Sequence, residues 1–441
     1  MSIRVHGLKL QPDMTVDADG AIWFAGAKLA NLAAEFGTPL YVVNENTIRY
    51  NCRRYKQAVA GYPKNFTIAY ASKAFLCQAM CRIIAAEGLR LDVVSLGELH
   101  TAITSNFPAE RIIFHGVNRS CYELESALRQ GVGRIVVDNF FELEKLAQLT
   151  SKLHLEANLL IRLASGVEAD THEYVQTSLL DSKFGFNLSD LPHVFALAAT
   201  QPHLRIRGLH SHTGSQIQTL DPFAENLRIL LRLFATWRER VPELKELNIG
   251  GGLGCYYTAD DQPLSIEAYI AGIIATAEET CHELDVDLPH LIVEPGRSIV
   301  NEAGLTLYQV GGTKTIPGAH KYVFVNGSMA DNIRPALYGS CYEAALANRA
   351  HEQATETVAI AGRCCESGDM LVWDAQLPAA APGDLLVVGR TGAYTQSMAS
   401  NYNRLPKPPV VLVNEGQAHL IVRGETWEDM TRLDIVPEHL R

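Results

Sequence analysis

Lys73 lies in Ala69-Tyr70-Ala71-Ser72-Lys73-Ala74-Phe75, between an apolar, β-prone run (Phe66, Ile68, Tyr70) and a helix-like segment from Leu76 to Glu87. A strand that hands over to a helix at a lysine puts the amine at the mouth of a fold. Desolvation there disfavours the ammonium and favours the neutral, nucleophilic amine that forms Schiff bases. A surface lysine at a strand end is the plainer alternative. Glu294-Pro295-Gly296-Arg297 sets an acid and a base on one turn. They either pair with each other or serve a ligand, Arg297 gripping a phosphate or carboxylate as a fork and Glu294 keeping a ring nitrogen protonated. Gly250-Gly251-Gly252-Leu253-Gly254 follows the run Leu247-Asn248-Ile249. Such glycines let backbone N–H groups wrap a phosphate, and their spacing is neither a P-loop nor a dinucleotide fingerprint. A tight turn without a ligand is the alternative.

His210 and His212 share one face of a strand, one deeper than the other. Without a convincing third ligand they read as a stacking or hydrogen-bonding pair rather than a zinc site. Further on, Arg334 beside Pro335 suggests a fixed loop that presents a guanidinium, with Tyr338 following. Cys365 and Glu366 sit in a Ser/Gly/Asp turn that ends at Asp369, and Thr391-Gly392-Ala393-Tyr394 reads as a polar loop-helix segment near a ligand. Each of these alone can be a structural turn.

The elements that position these residues follow from periodicity. Short apolar runs recur, each followed by a helical stretch: Phe66 to Ser72, Leu91 to Ser95, Ile112 to His115, Arg134 to Asp138, Leu159 to Leu163, Ile206 to His212, Leu247 to Gly251 and Leu291 to Glu294. About eight such units over about 250 residues predict a (β/α)8 barrel rather than a doubly wound sheet. Lys73, Ser95, His115, Asp138, Arg162, His212, Gly250 and Glu294 all fall at the C-terminal ends of the runs, where barrels carry their active sites. After residue 310 strands dominate, in an antiparallel pattern with Gly, Pro and Asn turns. The reading is a barrel over 42–310 and a β-sandwich or β-barrel domain from 1–41 and 311–441.

The 441 residues, 47% hydrophobic and 20% charged, suit a large globular enzyme. A formal net charge of -11 argues against nucleic-acid and anionic-membrane surfaces. No secretory leader and no bilayer-length apolar run are expected, and nine unpatterned cysteines point to a reducing cytoplasm.

The motifs, taken in order from Tyr70-Ala71-Ser72-Lys73 to Gly392-Ala393-Tyr394, resemble the bacterial diaminopimelate decarboxylases, pyridoxal-phosphate enzymes with an alanine-racemase-like barrel. The match runs from about residue 40 almost to the C-terminus. The resemblance implies that Lys73 forms the Schiff base with pyridoxal 5'-phosphate and that His212 stacks on its ring. It implies that Ser215, the Gly250 to Gly254 backbone (Gly251, Gly252 and Gly254 among it) and Tyr394 hold the phosphate, that Gly296 and Arg297 also bind the cofactor, and that Glu294 lies opposite the ring nitrogen. Arg297, Arg334, Tyr338, Glu366 and Tyr394 would bind the amino-acid substrate, and Cys365 would be the general acid. It implies no metal, and a homodimer in which Cys365 and Glu366 serve the partner subunit's site. An acid at Glu294 strengthens the electron sink and so favours a decarboxylase over a racemase. The product would be L-lysine and CO2 from meso-2,6-diaminopimelate. The rivals are a decarboxylase of another carboxylated diamino acid, in siderophore or polyamine pathways, and a catalytically dead regulatory homologue. The presence of both Lys73 and Cys365 speaks against the latter. Leu96, Val117, Asn326 and Ser328 depart from the family pattern, Leu96 with the prospect of crowding the barrel mouth. The segment Arg162 to Lys183, rich in Glu, Asp and Thr, is expected to close over the site.

Overall fold

The computed structural model describes residues 3–167 and 183–441, so most of the expected closing segment lies outside the described residues. The chain divides into two compact units. One comprises Arg49–Cys255 and Asp261–Ile299, the other Met1–Ile48, Tyr256–Asp260 and Val300–Arg441.

The first unit is a closed parallel barrel of eight strands. They are β1 (Phe66–Ala71), β2 (Arg90–Val93), β3 (Ile112–Phe114), β4 (Arg134–Val137), β5 (Ala157–Arg162), β6 (Leu204–His210), β7 (Glu246–Asn248) and β8 (His290–Val293). Each pairs with the next, and the barrel closes where Leu291, Ile292 and Val293 of β8 lie opposite Phe66, Thr67 and Ile68 of β1. Strands covered on both faces have no polar side to alternate with, which is why they read as continuous apolar runs. Ala69, Ile113, Val136, Leu160 and Ile292 form a buried cluster, one residue from each of five strands. The polar residue after a strand often starts the next helix. Ser95, Ser120 and Asn139 each accept the backbone N–H three residues on, satisfying a donor that the helix leaves unpaired. Ser95, expected at the mouth as a polar strand end, is therefore a helix cap.

The second unit is built around the twelve-residue strand Gly304–Thr315. It pairs antiparallel with Leu40–Asn44, Lys321–Val325 and Leu385–Gly389. Two pairings in the sheet are parallel, Leu40–Asn44 with Val410–Asn414 and Lys321–Val325 with Glu356–Ala361, so the sheet is mainly rather than wholly antiparallel. These pairings move the expected boundaries. Leu40–Asn44 hydrogen-bonds into this sheet and not the barrel, so the barrel unit starts at 49 rather than 42. It ends at 299 rather than 310, because the long strand from Gly304 is already part of the sheet. The short N-terminal strands form two small sheets of their own. Their Val5, Leu8, Ile22 and Phe24 pack in one core with Leu305, Val387 and Val411 of the main sheet. Among the described residues, no helix is long and apolar enough to cross a membrane.

Candidate active site

Glu294, just past β8, is a buried carboxylate met by side chains from three other strands of the barrel. Its Oε1 accepts from Asn248 Nδ2 of β7 at 2.6 Å and lies 2.8 Å from His115 Nε2, at the end of β3. Its Oε2 lies 3.2 Å from His210 Nε2 of β6. All four side chains are buried. Burial works against the Glu294 charge, but His115 and His210 outweigh it and hold the carboxyl well below its usual range. Asp92 of β2 is buried 3.6 Å from His115. The ligating atoms of His115, His210 and Glu294 lie within 4.8 Å of one another, and both histidines hydrogen-bond the carboxylate.

Glycines bring the next layer close. The N–H of Gly251 donates to His212 Nδ1 at 3.1 Å. A Cβ on Gly250 would stand 2.6 Å from that nitrogen, and one on Gly251 would stand 2.0 Å from the Glu294 carbonyl oxygen. His212 is pushed well below the ordinary histidine range by burial, with the charges of Lys73 and Arg162 adding to it, so its ring is neutral. The Gly250 N–H is bound by Asn248 Oδ1 and the Gly254 N–H by the Ile217 carbonyl. Among the described residues this leaves Gly252 as the loop glycine whose N–H is uncommitted. The Gly251 and Gly254 N–H groups thus donate within the protein, and both glycines stand where a Cβ would meet a neighbouring backbone. Arg297 donates to Ser215 Oγ at 2.8 Å. Gly296 lets its turn press against Ala71 and Ala74, where a Cβ would meet both at 3.1 Å.

Lys73 sits in the short 3-10 turn after β1 and is exposed. Its charge reaches Asp92 and His212. Arg162 faces Asp138 at 3.7 Å and stacks over Phe184 at 4.2 Å.

The remaining expected residues belong to the second unit. Arg334 opens the short helix Arg334–Tyr338, where a loop was expected, and is buried. Its guanidinium donates to Tyr342 Oη at 2.9 Å and Ser340 Oγ at 3.1 Å. The rings of Tyr257, Tyr338 and Tyr394 stand 5.4–5.8 Å from it. Burial opposes its charge, but the phenol oxygens of Tyr342 and Tyr257 outweigh burial and raise its pKa. Tyr394 holds a left-handed backbone with φ 59°. Cys365 and Glu366 are exposed on their turn. The Cys365 N–H donates to Asn403 Oδ1 at 2.8 Å, and Tyr402 Oη to Glu366 Oε2 at 3.3 Å. Buried Asp369 anchors that turn by accepting the N–H of Met329 and of Cys364.

Asp92 and Asn248 were missed as site residues. Their signal was a lone polar side chain inside an apolar run. Of the departures from the family pattern, Leu96 lines a 550 Å³ hollow with His100 and Tyr122, between the helices that follow β2 and β3. Asn326 binds the Thr38 carbonyl, and Ser328 Oγ accepts the Ala330 N–H.

A barrel whose mouth offers a lysine, an aromatic neutral histidine, a buried carboxylate and an arginine with a serine hydroxyl has a donor set that suits an anionic, ring-bearing cofactor. The Gly250–Gly252 close approaches provide the cradle. This is the class of barrel pyridoxal-dependent decarboxylases, and residues 45–301 match the family model "Pyridoxal-dependent decarboxylase, pyridoxal binding domain". The chain is 46% identical over 434 residues to the diaminopimelate decarboxylase of Bacillus subtilis, covering 98% of each chain. It is 45% identical to that of Synechocystis, covering 96% of this chain and 92% of the relative. The structure of the M. jannaschii diaminopimelate decarboxylase in complex with L-lysine superposes with a TM-score of 0.90 at 33% identity, over 98% of this chain and 99% of the other. The chain belongs to the diaminopimelate decarboxylase family.

Proposed function

We propose that the chain decarboxylates meso-2,6-diaminopimelate to L-lysine and CO2 with pyridoxal 5'-phosphate as cofactor. The observation that carries the substrate is Arg334, a buried guanidinium in a cage of phenols, which suits a second carboxylate on an amino acid. Substrates without a distal carboxylate have no use for it.

In this reading Lys73 attaches the cofactor and His212 supports its ring. Arg297, Ser215, Tyr394 and the Gly252 N–H hold its phosphate, and Glu294 keeps its ring nitrogen protonated. When bound, the cofactor takes up the electron pair left on the α-carbon as CO2 departs. Arg334, Tyr338 and Glu366 bind the distal carboxylate and ammonium. Cys365 delivers the proton that replaces the lost carboxylate on the α-carbon. The chain works as a homodimer, Cys365 and Glu366 serving the partner subunit's site, which their exposure allows. The nine cysteines are free, which suits a cytoplasmic reaction.

The test is one preparation and two readouts. With pyridoxal 5'-phosphate the protein is expected to develop a visible absorbance band that is absent in Lys73→Ala, and to release lysine from meso-diaminopimelate. In Cys365→Ala the band should persist while lysine formation falls by about 10²–10⁴. A band without lysine release from the native protein refutes the substrate.

A further inference from the structure

We propose that His115 is a positioning residue for the decarboxylation, a buried imidazolium that keeps Glu294 ionised and turned toward the cofactor's ring nitrogen. This rests on the reading above, in which Glu294 meets that nitrogen.

The geometry carries the inference. Glu294 is buried in the barrel, where a carboxylate is stable only if its charge is answered. Its Oε1 is filled by Asn248 at 2.6 Å and His115 at 2.8 Å, whereas Oε2 has the single longer bond from His210 at 3.2 Å. Oε2 therefore retains the capacity to accept a ring N–H. The two histidines look alike in the sequence but differ in what faces them. His115 has Glu294 on β8 and, at 3.6 Å, Asp92 on β2. The opposing cation is Arg162 of β5, and His210 of β6 packs edge-on at 4.9 Å. Burial works against an imidazolium at His115, but the two carboxylates outweigh it and raise its pKa. His210 is pushed down to about 4 by burial, despite its contact with Glu294. One histidine thus supplies a charge and the other a neutral hydrogen bond. Asp92 balances the charge of His115, and burial with the nearby Glu294 charge pushes its own carboxyl up.

The sign of the effect follows. Without the imidazolium, the buried Glu294 carboxyl titrates at higher pH. Below that point it carries its own proton and no longer holds the ring N–H. His115→Asn retains a donor but not the charge. It is expected to lower kcat about tenfold with KM within about twofold, equivalent to one pKa unit of Glu294 stabilisation. Its kcat and its visible band should decline on acidification at a higher pH than those of the native protein. An independent readout needs no cofactor: in the ¹⁵N-histidine NMR spectrum of the cofactor-free protein, the midpoint of the His115 ring should lie above that of an ordinary histidine, and Asp92→Asn should move it down. A neutral His115 ring at pH 7, or a His115→Asn enzyme with a native pH profile and only a lower Tm, overturns the inference. Failure of the native protein to form the visible band overturns the cofactor reading instead, and is seen separately.

Discussion

Arg334 and Glu294 show how little a residue's type settles by itself. Both are buried charges, and each is expensive to bury alone. Glu294 is answered by histidines and an asparagine, and Arg334 by aromatic faces and hydroxyls, which leaves the guanidinium with net positive charge to offer. In the proposed reading, a substrate carboxylate in that cage would gain charge-assisted hydrogen bonds from a fork that lysine cannot reproduce. Arg334→Lys is expected to raise KM for diaminopimelate about 10- to 100-fold, as one or two such bonds are lost, with the cofactor band unchanged. Steady-state kinetics beside the absorbance spectrum check it. Lys73 was legible as a candidate from its place after a strand, but its exposure was not, because a local pattern reports the strand and not what later covers its end.

At the scale of elements, the glycine loop after β7 does two jobs that the sequence reading had merged. It was read as a set of N–H donors, and most of those donors prove to be spent on Asn248, His212 and Ile217. Its glycines are needed because two backbones and the His212 ring meet where a side chain would stand. Gly250, at φ 72°, illustrates both constraints, since alanine there is strained and would push on His212 at 2.6 Å. Gly250→Ala is expected to weaken pyridoxal 5'-phosphate binding about 10- to 100-fold by fluorescence titration, the equivalent of one to two units of strain at 1.4 kcal/mol per tenfold. Gly312→Ala, in open space on the other unit's long strand, should leave it unchanged. The barrel strands were legible because each centres on a short run of buried, mostly apolar residues followed by a helical stretch. The twelve-residue strand from Gly304 was not, because its end from Gly311 to Thr315 lacks a buried face and is held by pairing with Lys321–Val325.

For the whole molecule, the proposed sharing of Cys365 and Glu366 between subunits makes a prediction that no single chain can meet. Lys73→Ala and Cys365→Ala proteins should each be nearly inactive. Mixed under conditions that let subunits exchange, they should recover about a quarter of native activity, because half the dimers are mixed and each holds one intact site. Activity of the mixture, with sedimentation to confirm the dimer, reads this directly. No recovery despite demonstrated exchange rejects the shared site.

The alternation of apolar runs with helical segments, and the polar residues closing those runs, are local properties of the chain. From them the barrel, its active end and the candidates Lys73, His212, Glu294 and Arg297 were all legible, since burial on one or two faces leaves a period that neighbours in sequence record. The family resemblance of the ordered motifs added their roles. Only the tertiary structure decided that Leu40–Asn44 joins the sheet rather than the barrel, and that His115, His210 and Asn248 converge on one carboxylate with Asp92 beside His115. Those residues come from strands far apart in the chain. What brings them within hydrogen-bond reach is the closure and stagger of the barrel, a property of pairing between strands that no periodicity within one of them encodes.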